Sequence, residues 1–134
     1  MDLKKGVITG VVAGIVMIAL GFVFMAATGT SDWYQKTFPM MVSQQAMPFF
    51  ILSIFLAGLF MGLVYSVVNP SISGAGWKKG AYYGLFVWLL AGTMWPVMMI
   101  GFAGINIWLV ELIAGLIEYA ITGAVIAIVY SKLK

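Results

Sequence analysis

The chain has 134 residues, 63% of them apolar and only 8% charged, with a formal net charge of +3. Soluble domains carry roughly 25% charged residues, so this chain has too few charges to cover a water-facing surface, and its apolar surface must face lipid. Cys and His are both absent, which excludes disulfides, thiolate nucleophiles, imidazole bases, the usual zinc sites and ordinary haem ligation.

Four apolar runs, near 6–28, 48–68, 80–102 and 105–131, each reach the length of about 20 residues that a helix needs to cross a bilayer. Backbone polar groups cannot go unpaired in lipid, so spans are helices or closed barrels. These runs lack the polar–apolar alternation of barrel strands. The fold class is therefore all-α integral membrane, a single domain over 1–134 with four transmembrane helices in an up-down bundle.

Lys4 and Lys5 precede the first run. Its apolar stretch, Val7 to Ala27, exceeds the roughly 7–15 residues of a signal-peptide core, so it stays as the first span. Gly6, Gly10 and Gly14 recur at four-residue spacing along it, with Gly21 further on. The outer loop, 29–47, is the one sizeable connection. Ser31 is expected to cap a short interfacial helix carrying Trp33, Tyr34 and Phe38, ended before Pro39. Pro48 suits the first turn of the second span, which carries Gly58, Gly62 and Ser66 at the same spacing.

Lys78 and Lys79 open the third span, followed by Gly80 and Gly84. Pro96 removes one backbone hydrogen bond in that span and is expected to kink it. A very short turn near Gly101–Ile105 makes the last two spans antiparallel neighbours. The fourth span holds Glu111, Gly115, Glu118 and Thr122 on one helical stripe, and Lys132 and Lys134 follow it.

Every lysine but Lys36 falls on one side of this arrangement. Cytoplasmic loops carry the Lys excess, which places both termini inside. In hydropathy alone the chain is similar to four-span prokaryotic proteins, which implies a prokaryotic plasma membrane. Trp33, Tyr34 and Trp108 fall at the outer interface, and Tyr65, Trp77, Tyr82, Tyr83 and Tyr130 at the inner one, where amphipathic rings are favoured. Lys4-Lys5-Gly6-x-x-x-Gly10 matches Lys78-Lys79-Gly80-x-x-x-Gly84, and Ala57-Gly58-Leu59 matches Ala114-Gly115-Leu116. The pattern suggests a parallel duplication of a helical hairpin, although basic boundaries and membrane glycines are each common.

Close approach through small residues replaces hydrophobic attraction between helices in lipid. Gly6, Gly10, Gly14, Gly58, Gly62, Gly80, Gly84 and Gly115 are accordingly read as helix-packing positions, either within the chain or onto a partner. Glu118 lies near the bilayer centre, where an acid costs roughly 2.5–3.5 kcal/mol. No span holds a lysine to pair with it. An unpaired acid there is expected to be neutral, bonded to Thr93, Thr122, a tyrosine or a backbone carbonyl. Three roles fit it: a proton or cation site, a neutral packing pin, or the acidic half of an ion pair with another protein.

Seven methionines, Met25, Met40, Met41, Met47, Met94, Met98 and Met99, fall in the outer half. Met94 and Met98 share a helix face, and thioethers suit Cu(I); plain packing by a flexible side chain is the simpler account, and no metal or other cofactor is expected. No nucleophile–base arrangement, phosphate loop or nucleic-acid stripe is present. The sequence reads first as a non-enzymatic accessory subunit packing in a homo-oligomer or membrane complex. The alternative is a small transporter or channel with Glu118, supported by Glu111 and Thr122, as its intramembrane proton or cation site.

Overall fold

The computed structural model describes residues 2–133, except for the side chains of Met99, Phe102, Ala103 and Gly104. Helix α1 spans Leu3–Thr28, α2 Thr30–Thr37, α3 Met47–Val68, α4 Gly76–Val87 and α5 Met94–Lys132. The described residues contain no strand. Four segments are long and apolar enough to cross a membrane: Leu3–Thr28, Met47–Ser71, Gly76–Met98 and Ile105–Lys132. The protein is an all-α, four-span membrane bundle.

Local chemistry sets the helix ends. The Asp2 carboxylate accepts the Lys5 backbone N–H at 3.0 Å and caps α1. Gly29, with φ +70°, turns the chain out of α1 in a conformation that favours glycine. It also stands as the N-cap of α2, with no side-chain capping bond. Ser31, expected as that cap, lies one residue inside the helix, because the left-handed turn at Gly29 already redirects the backbone. Pro48 sits in the first turn of α3, as anticipated.

Pro96 acts earlier in the chain than its position suggests. A helical proline clashes with the carbonyl four residues before it, here that of Gly92. The chain accommodates this with a π-helical turn over Trp88–Gly92, closed by the Thr93 N–H donating to the Trp88 carbonyl at 3.1 Å. Pro96 itself falls in the first turn of α5, where its missing N–H costs little. The irregularity expected at residue 96 is thus a widened turn that ends at residue 92.

The backbone is helical throughout Met94–Lys132, so the expected loop at Gly101–Ile105 is not an irregular segment. The chain nevertheless reverses within α5. A straight helix would carry Gly115 about 30 Å from Met94, yet Gly115 lies against the Trp88 ring and Tyr119 against Gly92.

Glycines draw the helices together in two antiparallel hairpins. A methyl group on Gly58 would fall on the Gly14 backbone, and one on Gly62 on the Gly10 backbone. In the second hairpin, a methyl on Gly80 would strike the Gly123 carbonyl and one on Gly84 the Tyr119 carbonyl. The stripes therefore serve packing within the chain. Gly115 differs: it makes room for the Trp88 indole, not for another backbone.

The two seams share one geometry, as a duplicated hairpin would. Their register corrects the motif match, however. Gly10 corresponds to Gly84, and Gly62 corresponds to Gly123, one helical turn beyond the pairing of Gly58 with Gly115. Burial follows the new register: Thr9 and Tyr83, Met61 and Thr122, and Tyr65 and Ile126 are all buried.

Helix α1 packs on α5 and joins the hairpins. Tyr65, Tyr83 and Tyr130 seal the lysine-rich end. Tyr65 meets Tyr83 and Tyr130 edge to face, with centroids 5.1 and 5.5 Å apart. The Tyr83 hydroxyl donates to the Met61 carbonyl at 2.7 Å. Lys5 sits 5.7 Å from the Tyr130 ring centre, so the start of α1 and the end of α5 lie on one side. Tyr65 and Tyr83 are thus core residues, whereas Trp77 and Tyr82 remain exposed at the interface.

Candidate functional site

The other half of the bundle is hollow. The glycine contacts that set one helix backbone on another run from the lysine end to about mid-span, at Gly14 and Gly58, whereas Gly92 and Gly115 further out meet only side chains. Beyond the backbone contacts α1 presents Ile18, Phe22 and Met25, and α3 presents Ile54, Phe50 and Met47. These bulky residues hold the helices apart around a cavity of about 490 Å³. Thr28 at the end of α1, Thr30 and Tyr34 of α2, and Met41 and Val42 of the connection that follows also line it, so it extends to the loop end.

Both acids of the fourth span face this cavity. Seven residues apart on α5, Glu111 and Glu118 are separated by about 10 Å of helix rise. Gly21 of α1 opposes Glu118: a methyl placed there would stand 3.9 Å from the Glu118 carboxyl oxygen. The absence of a side chain at Gly21 leaves that carboxyl its space.

The two threonines anticipated as partners of Glu118 do not bond it. The Thr93 hydroxyl donates to the Leu89 carbonyl at 3.1 Å. Thr122 is fully buried, one turn from Glu118, and its hydroxyl has no hydrogen-bond partner among the described residues. The Trp88 indole N–H is also buried without a partner among the described residues, close to Gly115 on the acid stripe. Among the described residues no lysine lines the cavity. Glu118 lines the cavity, and neither Thr93 nor Thr122 bonds it among the described residues.

Glu111 has company. The Trp95 indole N–H donates to the Tyr34 hydroxyl at 2.9 Å, and that hydroxyl lies beside Glu111. Burial pushes the Tyr34 hydroxyl up to about 12; the Trp95 hydrogen bond opposes the shift and the Glu111 carboxyl adds to it. Tyr34 is only 8% exposed, so the short helix α2 inserts its tyrosine into the bundle and does not merely lie on the interface.

Comparison with protein-family models, curated proteins and solved structures returns no match. The site must be read from its own chemistry.

The methionines divide. Met25, Met41 and Met47 line the cavity. Met94 and Met98 are exposed on the outer surface of the bundle, away from the cavity, and the Met99 side chain lies outside the described residues. Sequence reasoning singled out Glu111 and Glu118 but missed Tyr34, Trp95 and Gly123 as partners. Tyr34 was legible only as an interfacial ring, because its approach to Trp95 and Glu111 depends on how the loop folds back.

Proposed function

We propose that this small integral membrane protein is a non-enzymatic transporter or channel that binds a proton or cation at Glu118. One observation supports this reading above all: two carboxyls face a single cavity that no lysine lines among the described residues. A buried acid without a cation is costly, and an acid that merely pinned helices would spend its hydrogen bonds on them. Glu118 is the primary site, and Glu111, with Tyr34 and Trp95, is the neighbouring group nearer the loop end. The lysine-rich end faces the cytoplasm, as positive-inside placement requires.

An accessory subunit is the second reading. Only 17–28% of the residues in the 18-residue apolar window of each span are buried within the chain, which leaves broad faces for lipid or partners. The glycine stripes no longer favour it, since they are occupied inside the hairpins.

Flux measurement in proteoliposomes tests the leading reading. Gln keeps the size and much of the hydrogen bonding of a neutral acid but carries no transferable proton. Glu118→Gln should abolish proton- or cation-coupled flux and leave the fold intact; unchanged flux would remove the reading. Orientation is tested separately on the Cys-free background. Cysteines at Ser31 and Ser73 should react with an impermeant thiol reagent from outside and inside, respectively. Labelling of both from one side would overturn the assignment.

A further inference from the structure

A second hollow lies against the first. Between α3 and α4 an apolar groove of about 700 Å³ opens on the outside of the bundle. Phe60, Val64, Tyr82, Phe86 and Leu90 along it are 47–64% exposed, and in a bilayer they meet acyl chains. The two hairpins are closed here only towards the lysine end, where Tyr83 bonds Met61 and stacks on Tyr65.

Ala57, Ala91 and Tyr119 line both the groove and the acidic cavity. Two alanine methyl groups and one phenol ring thus belong to the wall that the groove and the acidic cavity share. Ala91 belongs to the π-helical turn and is itself exposed. Such turns recur at functional sites because they break the regular packing surface of a helix. Tyr119 rests against Gly92 of the same turn: a methyl there would come within 3.2 Å of its ring.

We infer that the α3–α4 groove is a lateral portal, through which a lipid-dissolved organic amine passes from the bilayer to Glu118. The inference rests on the cavity being a cation site, and it names the substrate class and the route. A small hydrated ion gains nothing from an apolar groove, because leaving water would be costly. An amphiphilic tertiary amine crosses it in the neutral form. At the cavity the proton moves from the Glu118 carboxyl to the amine nitrogen, leaving an ammonium–carboxylate pair with no change in net charge. Phe22, Phe50 and Trp95 in the cavity wall suit the apolar body and the cation alike.

The test uses the full chain in nanodiscs with a dansylated tertiary alkylamine dissolved in the lipid. Energy transfer from the protein's tryptophans reports arrival. Ala91→Phe and Ala57→Leu, each verified as folded by circular dichroism, should slow the rise of transfer at least ten-fold, because they thicken the partition. Glu118→Gln should remove the protein-specific signal. Wild-type rates in both alanine variants, with the signal still dependent on Glu118, would overturn the portal and keep the cation site. A signal insensitive to Glu118→Gln would overturn the cation site and the portal with it.

Discussion

The two halves of this bundle are built from the same four helices and differ in what fills the space between them. Towards the lysine end, glycines set backbone on backbone and tyrosines close the remaining gap. Towards the loop end, bulky residues splay the helices, the π-helical turn interrupts the third span, and the two acids face a cavity. The difference teaches that small residues in a membrane bundle determine where it is solid, and so, by omission, where it is open.

The largest expected effect breaks the solid half. Gly62→Leu must push its side chain into the Gly10 backbone, which cannot rotate away. Overpacking of this kind costs about 1–3 kcal/mol, occasionally more, and the hairpin should not survive purification in mild detergent. Gly21→Ala in the hollow half has only the Glu118 carboxyl in reach, at 3.9 Å. It should shift the melting temperature little, since surface-like changes stay within about 0.5 kcal/mol. Equal destabilisation by both would erase the contrast between the halves.

A smaller effect sharpens the contrast at the loop end. The Tyr34 hydroxyl loses its proton near pH 10 in the unfolded chain and near 12 in the folded protein. Between these values the folded state holds the extra proton, so stability falls as pH rises. Melting temperatures recorded from pH 9 to 12 should decline less steeply in Tyr34→Phe than in the wild type. An unchanged slope would mean that Tyr34 is not inserted beside Glu111.

The spans, the helical class and the acid stripe were legible because each is local. Hydropathy marks a span within about 20 residues, and helical spacing puts Glu111 and Glu118 on one face without further information. The seams were half legible. Gly6, Gly10, Gly58 and Gly62 announced close packing, but not that the packing lay within the chain. Gly115 drew attention away from Gly123, because a short motif match ignores the helical turn by which two hairpins can slip. Tyr34 beside Trp95 was not legible at all, since that contact joins residues far apart in the chain. The effect of Pro96 on Gly92 follows from its ring chemistry, yet the outcome, a π-helical turn rather than a bend at the proline, depends on what the neighbouring helices leave room for.

The natural absence of cysteine makes the most direct measurement clean. Gly21→Cys would stand in the cavity opposite Glu118, and Ala13→Cys would replace a residue that is 0% exposed in the packed half of the same helix. A small water-soluble thiol reagent added at the loop end should label Gly21→Cys in the folded protein and leave Ala13→Cys untouched until the bundle is unfolded. Equal protection of both cysteines, or equal labelling of both, would contradict a bundle that is solid at one end and hollow around its acids at the other.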